Sequence, residues 1–139
     1  MKKKMVVGFC FPAHDLVYLI KKTRPEWQAG LMNGIGGHVE EDETPEEAMI
    51  REFEEEAGVR IENWVHVAVM EGEDWHLDVF ACDWFYKEEA KTMTDEEIKC
   101  CYIHRLYFEP TIPNTRFLVP MCREHLDNKN TYKTARFIY

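Results

Sequence analysis

The sequence predicts an α/β protein, an α/β/α sandwich in which a mixed central sheet carries a helix on each side. Three observations carry that expectation. Runs rich in β-forming residues flank a strongly capped helical stretch, a second and shorter helical stretch follows residue 115, and the order along the chain is strands, helix, strands, helix. The 139 residues and 45% hydrophobic content fit one domain with one core. No repeat, low-complexity tract or linker interrupts the chain.

Lys4 to Phe11 is an apolar run of β-formers, Pro12 to Asp15 turns the chain, and Leu16 to Lys22 reads as the partner strand of a hairpin. Pro25 to Met32 is loop-like, and its Trp27 reads as a core plug. Asn33-Gly34-Ile35-Gly36-Gly37-His38 follows, where glycines let the backbone approach a ligand closely. Thr44-Pro45-Glu46-Glu47 starts a helix: Thr44 can cap, Pro45 suits the first helical position, and Glu47 can close a capping box. Gly58 suits the left-handed position that ends it. Met49, Phe53 and Ala57 recur every four residues between these ends and form the inward stripe.

Ile61 to Met70 reads as a strand, Glu71 to Asp74 as a turn, and Trp75 to Tyr86 as a long strand apolar on both faces, hence central. Lys87 to Thr94 is a polar loop. Glu96 and Glu97 precede a strand from Cys100 to Phe108, and a loop from Pro110 to Thr115 carries Asn114. A short helix then runs to about Leu126, started or kinked by Pro120. Asp127 to Asn130 turns, and Thr131 to Tyr139 alternates as a final edge strand.

The net charge of −9, from 26 acidic and 17 basic residues, excludes duplex nucleic-acid binding of the kind that needs clustered cations. A small anionic ligand fits only if a metal bridges the repulsion. The five cysteines are odd in number and lack C-x-x-C spacing, so they read as reduced, mostly buried thiols rather than a disulfide frame or zinc site. The apolar run after Lys2-Lys3-Lys4 stops at Pro12, too soon for a signal peptide, and no segment approaches a membrane span. A soluble, cytoplasmic protein is expected, without a membrane partner.

Opposite the inward stripe, Glu52, Glu55 and Glu56 stand at i, i+3 and i+4, so their carboxylates gather on one patch. Like charges four apart cost roughly 0.2–0.5 kcal/mol per pair. Acidic residues at the negative end of the helix dipole cost roughly another 0.3–1 kcal/mol each when exposed. Arg51 can relieve part of this through Glu47 and Glu55, but one cation does not balance so many carboxylates. A hard divalent cation such as Mg²⁺ or Mn²⁺ would. The bland reading is a solvated acidic helix.

Gly37, Glu43, Arg51, Glu52, Phe53, Glu55, Glu56, Gly58 and Val59 match G-x5-E-x7-R-E-U-x-E-E-x-G-U, where U is usually bulky and aliphatic. This resembles the signature of the Nudix hydrolases, with Phe53 as a mild departure. The resemblance implies a Nudix-type sandwich and Mg²⁺-dependent hydrolysis of a nucleoside triphosphate to monophosphate and pyrophosphate. It implies Gly36 (through its carbonyl), Glu52, Glu55, Glu56 and Glu97 as metal ligands. Glu52 or Glu55 would accept the water proton, and Arg51 would hold the glutamates, with Glu43 as its partner.

For the substrate it implies Lys22 or a neighbour at the phosphates, Trp27 as a stacking wall, and Asn33 on the base, with His38 bordering the site. The reading N-G-I-G-G in place of F-P-G-G is similar to the animal oxidised-purine triphosphatases, whose pocket asparagine matches Asn33. Asn114 matches a base-reading asparagine of bacterial MutT-type enzymes. Lys22 otherwise reads as a solvated loop cation, Asn33 as a turn residue and Asn114 as a helix cap.

An oxidised purine triphosphate of the 8-oxo-dGTP type is the first expected substrate. The alternatives are another diphosphate derivative, such as ADP-ribose or a dinucleoside polyphosphate, and a non-catalytic nucleotide sensor. Capped RNA sits badly with the charge, and the short N-terminus is read as leaving no extra dimerisation segment. The expected partner is therefore a small nucleotide, bound by a monomer or homodimer.

Overall fold

The computed structural model describes residues 2–129 and 133–139. Its spine is β1 (Lys3–Ala13). One edge of β1 runs parallel to β6 (Trp75–Asp83), from Lys3 opposite Trp75 to Phe11 opposite Asp83. The other edge pairs antiparallel with β4 (Ile35–His38) and then with β2 (Leu16–Lys21). β3 (Met32–Asn33) and β7 (Glu97–Tyr102) both pair with β2, while β5 (Val65–Glu71) joins β6 to β8 (Ala135–Ile138). Among the described residues this makes an eight-stranded mixed sheet with two parallel contacts, β1–β6 and β5–β8.

The period-two pleat sorts the apolar runs into two layers. Val7, Phe9, Phe11, Val17, Leu19, Val79 and Ala81 face helix α2 (Thr115–Asp127), which buries Leu118, Val119, Cys122 and Leu126 against them. Val6, Cys10, Tyr18, Ile20, Phe80 and Cys82 face helix α1 (Pro45–Ala57), which buries Ala48, Met49, Phe53 and Ala57. The expected mixed sheet with a helix on each side is therefore what the chain forms. At Gly8 α1 comes close to the sheet: a β-carbon there would lie 2.6 Å from the Met49 methyl.

The ends of α1 follow the sequence. The Thr44 hydroxyl accepts from Glu47 N–H at 3.1 Å, and Thr44 N–H donates to the Glu47 carboxylate at 2.9 Å. Gly58 closes the helix at φ 77° with its N–H on the Glu54 carbonyl.

Several boundaries differ from expectation. The strand expected from Cys100 starts earlier, at Glu97, and gives way to a 3₁₀ turn over Ile103–Phe108. Ile103 N–H donates to the Asp15 carbonyl, and Leu106 is the only buried residue of that turn, so little apolar surface holds an extended chain there. Pro120 lies inside α2 rather than starting it. Trp27 plugs no core: it sits 66% exposed on a 3₁₀ turn, Glu26–Gln28. The described part of the last strand, β8, does lie at a sheet edge, while Asn130 to Tyr132 of the expected turn and strand lie outside the described residues.

The cysteines are free; Cys10, Cys82 and Cys122 are buried. Among the described residues, no helix is long and apolar enough to cross a membrane.

Candidate functional site

The site is built where α1 passes the strand β4. Pairing of β4 with β1 fixes Gly36 opposite Val7 and Gly37 opposite Val6. A side chain at Gly36 would run into the Val6 carbonyl, and a β-carbon at Gly37 would sit 2.5 Å from the carboxylate carbon of Glu52. Gly36 is thus required by close approach of the β1 backbone, whereas a side chain at Gly37 would displace the Glu52 carboxylate, because backbone and carboxylate share one narrow space there.

Arg51 organises the carboxylates. Its Nε and Nη2 form a two-pronged bond to Glu43 at 3.0 and 2.6 Å, and Nη1 reaches Glu52 at 3.0 Å and Glu55 at 3.3 Å. Nη2 also donates to the His38 carbonyl at 3.0 Å, which ties α1 to the end of β4. Hydrogen bonds to charged groups in this forked geometry are the stronger kind and fix orientation. The expected Arg51–Glu47 contact is absent because Glu47 is held in the capping box. Glu43 takes its place, as the resemblance implied.

The electrostatics separate these groups. The hydrogen bond from Arg51 holds Glu43 below the usual carboxylate range, and Glu43 in turn raises Arg51. Burial raises Glu52 against the pull of Arg51. Glu56 is lifted furthest, to about 7, first by burial and then by the negative charge of Glu52. Its Oε2 is buried and accepts no hydrogen bond from the described residues. A buried bare carboxylate oxygen is costly unless a cation completes it.

Glu96 was missed by the sequence reading, which chose its neighbour Glu97. Along β7 the side chains alternate, and Ile98 faces the α1 layer. Glu96 shares that side: it is 4% exposed, accepts from Lys22 Nζ at 3.0 Å and from Thr23 N–H at 2.6 Å, and raises Glu56 through its charge. Burial alone would raise Glu96, but the Thr23 N–H and the Lys22 ammonium outweigh it and hold it low. Glu97 turns the other way, pairing with Lys99 at 3.6 Å with its side chain 60% exposed. A shift of one residue moves a strand side chain to the opposite face. The signal that separates them is Ile98, the apolar residue two positions after Glu96.

Of the substrate residues, Lys22 stands beside the acidic cluster, where its charge also lowers Glu56. Asn33 is half-buried, and its Oδ1 accepts from Gly34 N–H at 2.8 Å and faces the Thr115 hydroxyl at 3.4 Å. That contact brings the start of α2 to β3. Asn114 occupies the cap position of α2 without a side-chain cap bond. His38 is exposed and contributes its carbonyl, while Trp27 is exposed.

The donor set fits a hard divalent cation. It consists of carboxylate oxygens only: Glu52, Glu56, the exposed Glu55 and Glu96. Among the described residues no three or more acidic, histidine or cysteine side chains are gathered closely enough to hold a metal ion by themselves. An open arrangement suits Mg²⁺, which keeps several waters and takes one or two carboxylates.

Fold and site thus describe an α/β/α domain that gathers carboxylates around one face of α1. The family model for the NUDIX domain matches residues 1–116, and the chain belongs to that family, whose hydrolases act on phosphoric anhydrides and generally use divalent metal ions. An 8-oxo-dGTP diphosphatase of Proteus vulgaris is 32% identical over 62 residues, 43% of this chain; the match spans 55% of that protein's length. The NUDIX domain of Shewanella oneidensis NrtR, solved with ADP ribose, superposes with a TM-score of 0.79 at 17% identity, over 91% of this chain and 89% of that one. A MutT structure from a study of the Aliivibrio salmonicida and Vibrio cholerae proteins gives 0.72 at 18% identity, over 86% and 95%. These two likenesses are of fold.

Proposed function

We propose that this single NUDIX domain is a cytoplasmic, Mg²⁺-dependent nucleoside triphosphate pyrophosphohydrolase. Its substrate would be an oxidised purine nucleotide of the 8-oxo-dGTP type, and its products the monophosphate and pyrophosphate. The observation that carries the reading is Glu56 Oε2, a buried oxygen without a hydrogen-bond partner among the described residues, on a carboxyl that the charges of Glu52 and Glu96 both raise. Glu52, Glu55, Glu56, Glu96 and the Gly36 carbonyl would hold the cation, with Mn²⁺ as a substitute for Mg²⁺. When bound, the cation offsets charge on the phosphoryl oxygens and acidifies attacking water.

The chain's own groups do the rest. Glu52 or Glu55 accepts the proton of the attacking water, and Arg51 holds both in position. Lys22 faces the phosphates once it is shared between them and Glu96. Asn33 and Asn114 flank the nucleoside, a reading supported by the contact of Asn33 with Thr115, the residue after Asn114, with Trp27 and His38 at the rim. The match to the 8-oxo-dGTP diphosphatase supports the oxidised purine.

A second reading, ADP-ribose hydrolysis, is supported by the likeness to the NrtR domain solved with that ligand. A product-release panel, read by chromatography of the nucleotide products in Mg²⁺ over 8-oxo-dGTP, the ordinary triphosphates, ADP-ribose and dinucleoside polyphosphates, decides between them. The first reading expects the highest kcat/KM on 8-oxo-dGTP. Turnover confined to ADP-ribose would establish the second, and binding without release from any of them would make the domain a sensor.

A further inference from the structure

Glu96 sits one residue before the ladder that joins β7 to β2, whose last pair is Lys21 with Glu97. Strand pairing therefore does not fix its direction. At the other end of that ladder Ile103 N–H donates to the Asp15 carbonyl. Odd-numbered residues of this segment thus turn their backbone groups toward β2, and even-numbered ones turn them outward. Two exposed threonines meet the outward donors where a strand would stand. Thr94 Oγ1 accepts from Glu96 N–H at 3.2 Å, and Thr92 Oγ1 accepts from Ile98 N–H at 2.9 Å.

The same short segment is tied to the end of α1. Lys91 N–H donates to the Ala57 carbonyl at 2.9 Å, and Met93 N–H to the Glu56 carbonyl at 3.3 Å. Carbonyls of a last helical turn have no partner within the helix, so the segment completes it. Lys91 and Met93 also close on Gly58, where a β-carbon would lie 3.0 Å from Lys91 Cε and 3.1 Å from the Met93 sulfur.

The stretch from Lys91 to Glu96 therefore starts on the backbone of α1 beside Glu56 and ends at a carboxylate whose charge Glu56 feels. Lys22 and Thr23 grip that carboxylate: Lys22 Nζ donates to Oε1 at 3.0 Å, and the Thr23 N–H and hydroxyl donate to Oε2 at 2.6 and 3.1 Å.

We propose that Thr92 and Thr94 are positioning residues of the carboxylate site, whose hydroxyls hold Glu96 turned toward Glu56. The inference rests on the divalent-cation reading above and adds what aims the one carboxylate that α1 does not supply. Each threonine acts through a backbone N–H rather than on cation or substrate. Without the Thr94 hydroxyl the Glu96 amide faces water, and the peptide before Glu97 is free to rotate. Valine keeps the shape of threonine and lacks the acceptor, whereas serine keeps the acceptor.

A calorimetric Mg²⁺ titration of the whole protein tests this without turnover. Thr94→Val should weaken Mg²⁺ binding roughly tenfold or more, the range for partners that orient metal-binding groups. Thr92→Val should act in the same direction, and Thr94→Ser should stay near the wild type. In a Glu96→Gln background Thr94→Val should change nothing further, which a general loss of stability would not produce. Wild-type affinity in Thr94→Val, an equal loss in Thr94→Ser, or an undiminished loss in the Glu96→Gln background would overturn the assignment. Amide hydrogen exchange in EDTA separates this claim from the cation reading. A wild type indifferent to Mg²⁺ refutes that reading, and the Glu96 amide then decides the role of the hydroxyl. Faster exchange in Thr94→Val upholds it, and unchanged exchange overturns it.

Discussion

Glu56 has one carboxylate oxygen without a partner among the described residues, and its pKa is lifted from an ordinary 4.5 to about 7. The folded protein therefore holds more protons than the unfolded chain between those values, and stability from this group falls as pH rises through that window. Without divalent ions, the wild type should lose stability relative to Glu56→Gln between about pH 4.5 and 7, and urea melts across that range would record the difference. Mg²⁺ should reverse the loss at neutral pH. The neighbouring contrast is between Glu96 and Glu97. Glu96→Gln should lower kcat roughly tenfold or more, whereas Glu97→Gln should leave it within about twofold, because that side chain is exposed on the far face. Equal effects in steady-state assays would remove Glu96 from the site. In sequence these two glutamates look alike; the pleat separates them, and the pleat depends on where β7 begins.

At the scale of elements, α1 was legible almost to the residue because its start and stop are chemical: a capping box, a proline at the first position and a glycine at positive φ. The Thr44 hydroxyl closes that start, so Thr44→Ala should cost about 1 kcal/mol, read as a lower urea midpoint with an unchanged slope. An unaffected midpoint would mean that the helix is held by its apolar stripe alone. That the sheet is covered on both faces was also legible, in the run from Trp75 that is apolar on both sides and becomes β6 between β1 and β5. The segment after Tyr102 was not. Ile103, Tyr107 and Phe108 are β-formers, but Tyr107 and Phe108 are 74% and 84% exposed, and local propensity without burial does not keep a strand extended. Trp27 misled in the same way, because its size suggested a core that no other element supplies.

Across the whole molecule, distant segments meet at Glu71 on β5. Its carboxylate accepts from Arg136 of β8 at 2.5 Å, from Lys2 at 3.1 Å and lies 3.3 Å from His76 of β6. Arg136 first, then Lys2 and His76, hold it down to about 2. Its contribution is present above the unfolded value near 4.5 and is lost as pH falls toward 2. Glu71→Gln should therefore lower the Tm at neutral pH and flatten the acid side of the stability curve; identical acid limbs would show that β8 is held by its backbone ladder alone. None of these long-range partners was legible in the sequence, where Glu71 was part of a turn.

The central claim is that the self-repelling carboxylates of α1 form the seat of a divalent cation, and a Mg²⁺ titration followed by thermal unfolding at pH 7.5 tests it most directly. The wild type should show a saturable rise in Tm that disappears in the Glu52→Gln/Glu56→Gln double variant, which should start more stable in EDTA. A wild-type Tm indifferent to Mg²⁺, or an equal rise in the double variant, would contradict the account.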